Sequence, residues 1–210
     1  MLYSMIEFYK YQGCGNDFIM IDNRDGAFQL DKIDFAKKWC DRRFGIGSDG
    51  LIFLESHPEY DFKMDFYNPD GSQSFCGNGS RCIIAFARMV GAIDDHASFE
   101  AIDGYHEAKF TSLGVSVKMG NVQGVSRVGE DYFIHTGSPH YISYENGQPR
   151  NIIEYGRSIR YSDQYKAEGT NVNLVEEVSE TGISVLTYER GVENETFACG
   201  TGATACGLSF

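Results

Sequence analysis

Apolar and polar positions alternate in short runs along most of the chain. Period-two alternation reads as strand, and a few stretches at i, i+3, i+4 spacing read as helix. Residues 5–11 alternate loosely and predict a first strand. Residues 13–17 form a glycine-rich turn, and 18–21 return as a second strand. The hairpin tip carries Asn16 and Asp17. Residues 31–43 predict a helix, with Asp31 or Asp34 as cap and Ile33, Phe35, Ala36 and Trp39 as its apolar face. Strands follow at 51–54 and 61–67, the second running into the turn Asn68-Pro69-Asp70-Gly71. Residues 82–90 form a helix that is apolar nearly all round, which predicts burial on every side. Further strands are expected at 97–101, 105–110, 114–119, 132–135, 141–144 and 183–188. A short helix is expected at 151–159, and 168–174 reads as a turn entering a strand.

One pattern occurs twice. Phe75-Cys76-Gly77-Asn78-Gly79-Ser80-Arg81-Cys82 has an echo in Cys199-Gly200-Thr201-Gly202-Ala203-Thr204-Ala205-Cys206. In each copy the glycines come first and a helix-forming run follows. That order puts Cys76 and Cys199 at or just before a helix N-terminus. Unpaired N–H groups and the positive dipole end gather there, so both thiols are expected to be more acidic than a free one. The glycines allow the backbone to close around an anion.

The other cysteines change the picture little. Six cysteines in a chain without an export signal do not read as a disulfide framework. No Cys-x-x-Cys or clustered Cys/His spacing reads as a zinc site. Cys40, Cys82 and Cys206 read as buried and inert, whereas Cys14 lies in a glycine loop and stays open. The glycine-rich loop 45–50 precedes a strand, so it is not a dinucleotide fingerprint.

Strand, polar loop, Cys-Gly-x-Gly, helix: the order repeats. It predicts an α+β fold of two pseudo-symmetric halves, 1–115 with Cys76 and 116–210 with Cys199. Each half is expected to be a curved, mostly antiparallel sheet wrapped around a buried central helix, with the active site in the cleft between them. Thirty acidic against eighteen basic residues give a formal net charge of −12, which argues against nucleic-acid partners. No apolar run approaches a membrane span, and residues 1–7 lack the features of a signal peptide. The expected location is cytoplasmic.

Two such thiols suit proton transfer at a carbon beside a carboxylate. One thiolate takes the proton, and a thiol on the opposite face returns one. The carbon inverts with no redox change and no cofactor. N–H groups at the two helix ends, from Gly77 and Asn78 and from Gly200 and Thr201, stabilise the enolate-like charge. Cysteine fits because its acidity can be brought near working pH. His140 reads either as a satisfied structural histidine or as a base beside a thiol. Asn16 reads either as a turn former or as a ligand-facing amide.

Several motifs together resemble the diaminopimelate epimerases: Gly15-Asn16-Asp17-Phe18, the run 43–50, Tyr67-Asn68-Pro69-Asp70-Gly71, the motif 76–82, Gly137-Ser138-Pro139-His140, Gly169-Thr170-Asn171, Tyr188-Glu189-Arg190-Gly191 and Ala198-Cys199-Gly200-Thr201-Gly202. The resemblance covers nearly the whole chain. It implies cofactor-independent interconversion of LL- and meso-2,6-diaminopimelate, for lysine and peptidoglycan, by the pair Cys76 and Cys199. It further implies that Gly77, Asn78, Gly200 and Thr201 hold the reacting carboxylate and that Asn16 lies near the reacting amino group. Asn68, Asn171 and Arg190 would hold the distal amino-acid end, Glu189 an amino group, and His140 and Glu189 would tune the thiols. A homodimer is expected from the same resemblance.

Three departures stand out. Gly50 replaces a Gln of some relatives, and Ser138 replaces an Asn of many. The chain also stops at Phe210, inside the second cysteine's helix, where relatives continue. That ending implies an apolar patch over the helix. The rival readings are a proline racemase-like enzyme, a thiol redox or metal-binding protein, and an inactive diaminopimelate-binding fragment.

Overall fold

A computed structural model describes residues 5–210. The N-terminal stretch read above as lacking a signal lies partly outside them. The chain divides into two compact units, Met1–Lys118 and Met119–Phe210.

The first unit is a seven-stranded sheet in sequential order: β1 (Tyr9–Gly13), β2 (Asn16–Asp22), β3 (Gly50–Glu55), β4 (Phe62–Tyr67), β5 (His96–Ala101), β6 (Gly104–Thr111) and β7 (Gly114–Val117). Neighbours are antiparallel except β2/β3 and β4/β5. Helices make those two parallel connections: α1 (Lys32–Trp39) the first and α2 (Gly77–Met89) the second. The middle strands bury both faces. Phe18, Met20, Ile52 and Leu54 pack with α2, while Ile19, Ile21, Leu51 and Phe53 pack with α1. Period-two alternation thus serves two cores. α2 touches both edge strands, β1 and β7, so the sheet curls around it.

The second unit repeats the plan with six strands: β8 (Val125–Val128), β9 (Asp131–His135), β10 (Pro139–Tyr144), β11 (Asn171–Ser179), β12 (Gly182–Glu189) and β13 (Asn194–Thr196), again in sequential order. Here β10 and β11 are the parallel pair, joined through α3 (Ile152–Arg160). Asn151 caps α3 by accepting from the N–H groups of Ile153 and Glu154. The last helix, α4 (Gly200–Ser209), packs on the opposite face of the sheet, with Ala205 and Cys206 against Ile134, Ile142 and Val175. α4 buries one side only: Leu208 and Phe210 are each about half exposed. Among the described residues, no helix is long and apolar enough to cross a membrane.

Several boundaries differ from expectation. The first strand begins at Tyr9 rather than at residue 5. The hairpin turn is only Cys14-Gly15, both at positive φ (55° and 82°), which puts Asn16 and Asp17 on β2. α1 is capped by Asp31 and ends at Trp39, not at residue 43. The chain then folds back, and Ile46 and Gly47 both donate to the Trp39 carbonyl. Pro139 and His140 belong to β10 rather than to a loop before it. β8 and β13 lie where no strand was expected.

Candidate functional site

Both cysteines of the repeated motif are helix N-caps. Cys76 has φ −125° and ψ 109° before α2. Cys199 has φ −128° and ψ 107° before α4. This extended cap is the geometry that a Cys-Gly-x-Gly run followed by small helix formers should take. It aims the first N–H groups of each helix past the sulfur.

In the first unit, the Gly79 N–H donates to Cys76 Sγ at 3.4 Å. Cys76 Sγ also lies 3.6 Å from Asn16 Oδ1, across from β2. Asn78, from the first turn of α2, reaches the same oxygen with Nδ2 at 3.4 Å. Behind Asn16 is a charged cluster. Asn16 Nδ2 donates to Asp49 Oδ2 at 2.9 Å, and Asp49 Oδ1 pairs with Arg42 at 2.7 Å. Arg42 and Lys10 both pair with Asp17 at 2.6 Å. Burial alone would raise the Asp17 carboxyl, but these two cations outweigh it and hold it at about 2. Asn68 lies in the turn after β4, where Nδ2 donates to Ser72 and Ser74.

In the second unit, Cys199 Sγ lies 3.3 Å from Thr201 Oγ1. Thr201 Oγ1 meets His140 Nε2 at 2.9 Å, and His140 Nδ1 meets Asn173 Oδ1 at 2.9 Å. Asn173 in turn donates to Thr187 at 3.0 Å. His140 is fully buried. Burial drives its pKa down to about 4 against the pull of Asn173, with His135 and Arg190 adding to the depression. His140 is therefore neutral near neutral pH, and a hydrogen-bonded path from it to Cys199 runs through the Thr201 hydroxyl.

The expectation of an acidic thiol fails at Cys199. Burial raises its pKa, and the negative charge of Glu189 raises it further. The Thr201 hydroxyl and the first N–H groups of α4 oppose this without overcoming it. The helix end supplies partial charge, yet desolvation of the thiolate is the larger effect here.

Asn171 is buried and its amide is engaged internally. Nδ2 donates to Ser138 Oγ and the Pro139 carbonyl, and Oδ1 accepts from the Arg190 N–H. Arg190 donates through Nη1 to the Glu168 carbonyl at 2.8 Å. Gly50 has a steric reason: a Cβ there would stand 2.3 Å from the Phe66 ring. Asp49, within the run 43–50, and Asn173 join the site with no spacing signal of their own. Their partners come from distant strands.

A family model and the sequence relatives agree on one family. A family model described as diaminopimelate epimerase matches residues 8–125. A diaminopimelate epimerase of Flavobacterium psychrophilum is 48% identical over 207 residues, covering 97% of this chain and 81% of the relative. One of Aquifex aeolicus is 42% identical over 226 residues, covering 97% of this chain and 80% of the relative. Among solved structures, a Bacillus anthracis phenazine biosynthesis protein of the PhzF family aligns with TM-score 0.70 at 14% identity, covering 96% of this chain and 78% of its own. A probable proline racemase from Agrobacterium radiobacter aligns with TM-score 0.64 at 11% identity, covering 98% of this chain and 77% of its own. These last two likenesses concern the fold alone.

Proposed function

The chain belongs to the diaminopimelate epimerase family and is an epimerase, and from that premise we propose that it interconverts LL- and meso-2,6-diaminopimelate by a two-base mechanism. In this reading Cys76 and Cys199 face one α-carbon from opposite sides. The thiolate takes the α-proton as the C–H bond breaks. The opposing thiol gives its proton to the same carbon, and the configuration inverts. Each turnover exchanges which sulfur holds a proton, so no cofactor or redox partner is consumed. The proposed setting is the cytoplasm, in the synthesis of lysine and peptidoglycan precursors.

The observation that carries the reading is the pair of matching caps, each presenting a sulfur beside a helix N-terminus. The first-turn N–H groups, from Gly77 and Asn78 and from Gly200 and Thr201, are assigned to the reacting carboxylate. Asn16 is assigned to the reacting amino group. Asn68 and Arg190 are assigned to the distal amino-acid end, and Glu189 to an amino group. Asn171 would act there through its hold on Ser138 and Arg190. His140 would tune Cys199 through Thr201.

Turnover of LL-diaminopimelate in deuterated water tests the scheme. Deuterium is expected at one α-carbon of the meso product formed in the first turnovers, and at no other carbon of it. Product without α-deuterium from a fully exchanged enzyme would overturn it.

A further inference from the structure

The amide of Asn16 has one orientation available, and its origin lies at two charged residues. Asp49 carries a carboxylate, which only accepts, so the Asn16 group facing it at 2.9 Å is Nδ2. Arg81 carries a guanidinium, which only donates, and it donates to Asn78 Oδ1. Asn78 therefore turns Nδ2 toward Asn16 Oδ1. Both ends demand the same direction: Arg81 to Asn78 to Asn16 to Asp49. The consequence is that Asn16 presents a carbonyl oxygen, not an NH2 group, to Cys76 Sγ.

We propose that Arg81 and Asp49 are positioning residues that polarise the Asn78–Asn16 amide chain so that Asn16 Oδ1 accepts the S–H of Cys76 and favours its thiol form. The proposal deepens the two-base reading and rests on Cys76 exchanging a proton there. An acceptor beside a thiol stabilises S–H over S⁻, and a donor does the opposite. The chain thus offsets the Gly79 N–H, which favours the thiolate. Asp49 is itself fixed, by Arg42 and by the Asp17 N–H at 3.1 Å. Other titratable or charged groups near the cap include Lys10 and Asp17 behind Asn16 and Cys82 further along α2, which itself interacts with Cys14 of the β1–β2 turn.

The test follows alkylation of Cys76 against pH, resolved by peptide mass spectrometry, in the full chain. Asp49→Asn lets Asn16 turn its NH2 toward the sulfur. The midpoint for Cys76 is expected to fall by about half to one pH unit, the worth of one reversed hydrogen bond. Asp49→Ser carries the same expectation if Asp49→Asn does not fold. Loss of the Asp49 charge alone would also lower the midpoint, so both are repeated in an Asn16→Ala background. There only the part of the Asp49 shift that comes from its charge is expected to remain, and the part relayed through the amide is lost. An unchanged midpoint in both Asp49 variants, or a shift of undiminished size in Asn16→Ala, would overturn the proposal. Alkylation needs no turnover, so this result is separate from the deuterium experiment: either can fail while the other stands.

Discussion

Cys76 and Cys199 occupy the same backbone geometry, with φ and ψ agreeing within a few degrees. Their side-chain settings differ. Cys76 looks at an amide oxygen whose direction two charges impose. Cys199 looks at a hydroxyl that can donate or accept, backed by a buried neutral histidine. The helices behind them differ as well: α2 is buried on most sides, α4 on one. The repeat in the sequence therefore specifies where each sulfur stands. The protonation preference of each sulfur is written by residues on other strands.

The largest effect should break the comparison outright. Cys76→Ala or Cys199→Ala is expected to lower kcat for LL-diaminopimelate by about 10³-fold, the usual worth of a general acid or base. Cys82→Ala and Cys206→Ala, deep in the same helices, should leave kcat near the parent value. Full turnover by either N-cap variant would mean that one sulfur suffices.

Acid should separate the two units next. His140 is neutral in the fold, with a pKa of about 4 against an ordinary 6.5. Below 6.5 the unfolded chain binds a proton that the folded one does not, so stability falls as pH falls. The loss runs from pH 6.5 down to 4 and amounts to about 3 kcal/mol. Asp17, in the first unit, has its pKa lowered from 3.8 to about 2. Its contribution is intact above 3.8 and is lost only as pH falls toward 2. Urea unfolding from pH 7 to 4 should therefore show a loss that His140→Gln removes and Asp17→Asn does not. An equal slope in the His140 variant would contradict the buried neutral state.

How much of this was readable beforehand depends on how local the cause is. The two caps were legible because Cys-Gly-x-Gly and the helix formers after it act within one turn. The alternating strands of the central sheet were legible for the same reason, and so was the burial of Ile83, Ile84 and Phe86 on α2. β8 and β13 were not, since Val125-Ser126-Arg127-Val128 and Asn194-Glu195-Thr196 become strands only through pairing with β9 and β12. The end of α1 depends on a loop that returns to bond Trp39. The raised pKa of Cys199 was not legible, because cap position is visible in a sequence and the depth of desolvation is not.

Packing gives the next contrast. A Cβ on Gly202 would lie 2.8 Å from Asn173 Nδ2 and 3.2 Å from His140 Cε1. The glycine is what lets α4 approach the His140 chain. Gly202→Ala should cost about 2 kcal/mol through forced movement of those side chains. Gly207→Ala, five residues on with open space around it, should gain about 0.5–1 kcal/mol from helix propensity. Thermal unfolding of the two variants checks the sign of each, and equal effects would mean that the approach of α4 is not tight.

The smallest effect is the most diagnostic. Thr201→Val keeps the shape and removes the hydroxyl that holds Cys199 down against desolvation. The alkylation midpoint of Cys199 should rise by about half a pH unit, the size expected for one hydrogen bond to sulfur. Removing the polar anchor at Cys76, by Asp49→Asn, is expected to move that midpoint the other way. Once the charge part of the Asp49 shift is subtracted through the Asn16→Ala background, opposite signs follow only if one sulfur is biased toward thiol by an acceptor and the other toward thiolate by a donor. A shift of the same sign at both would show that the two caps are equivalent after all, and that the surrounding side chains do not divide the labour between them.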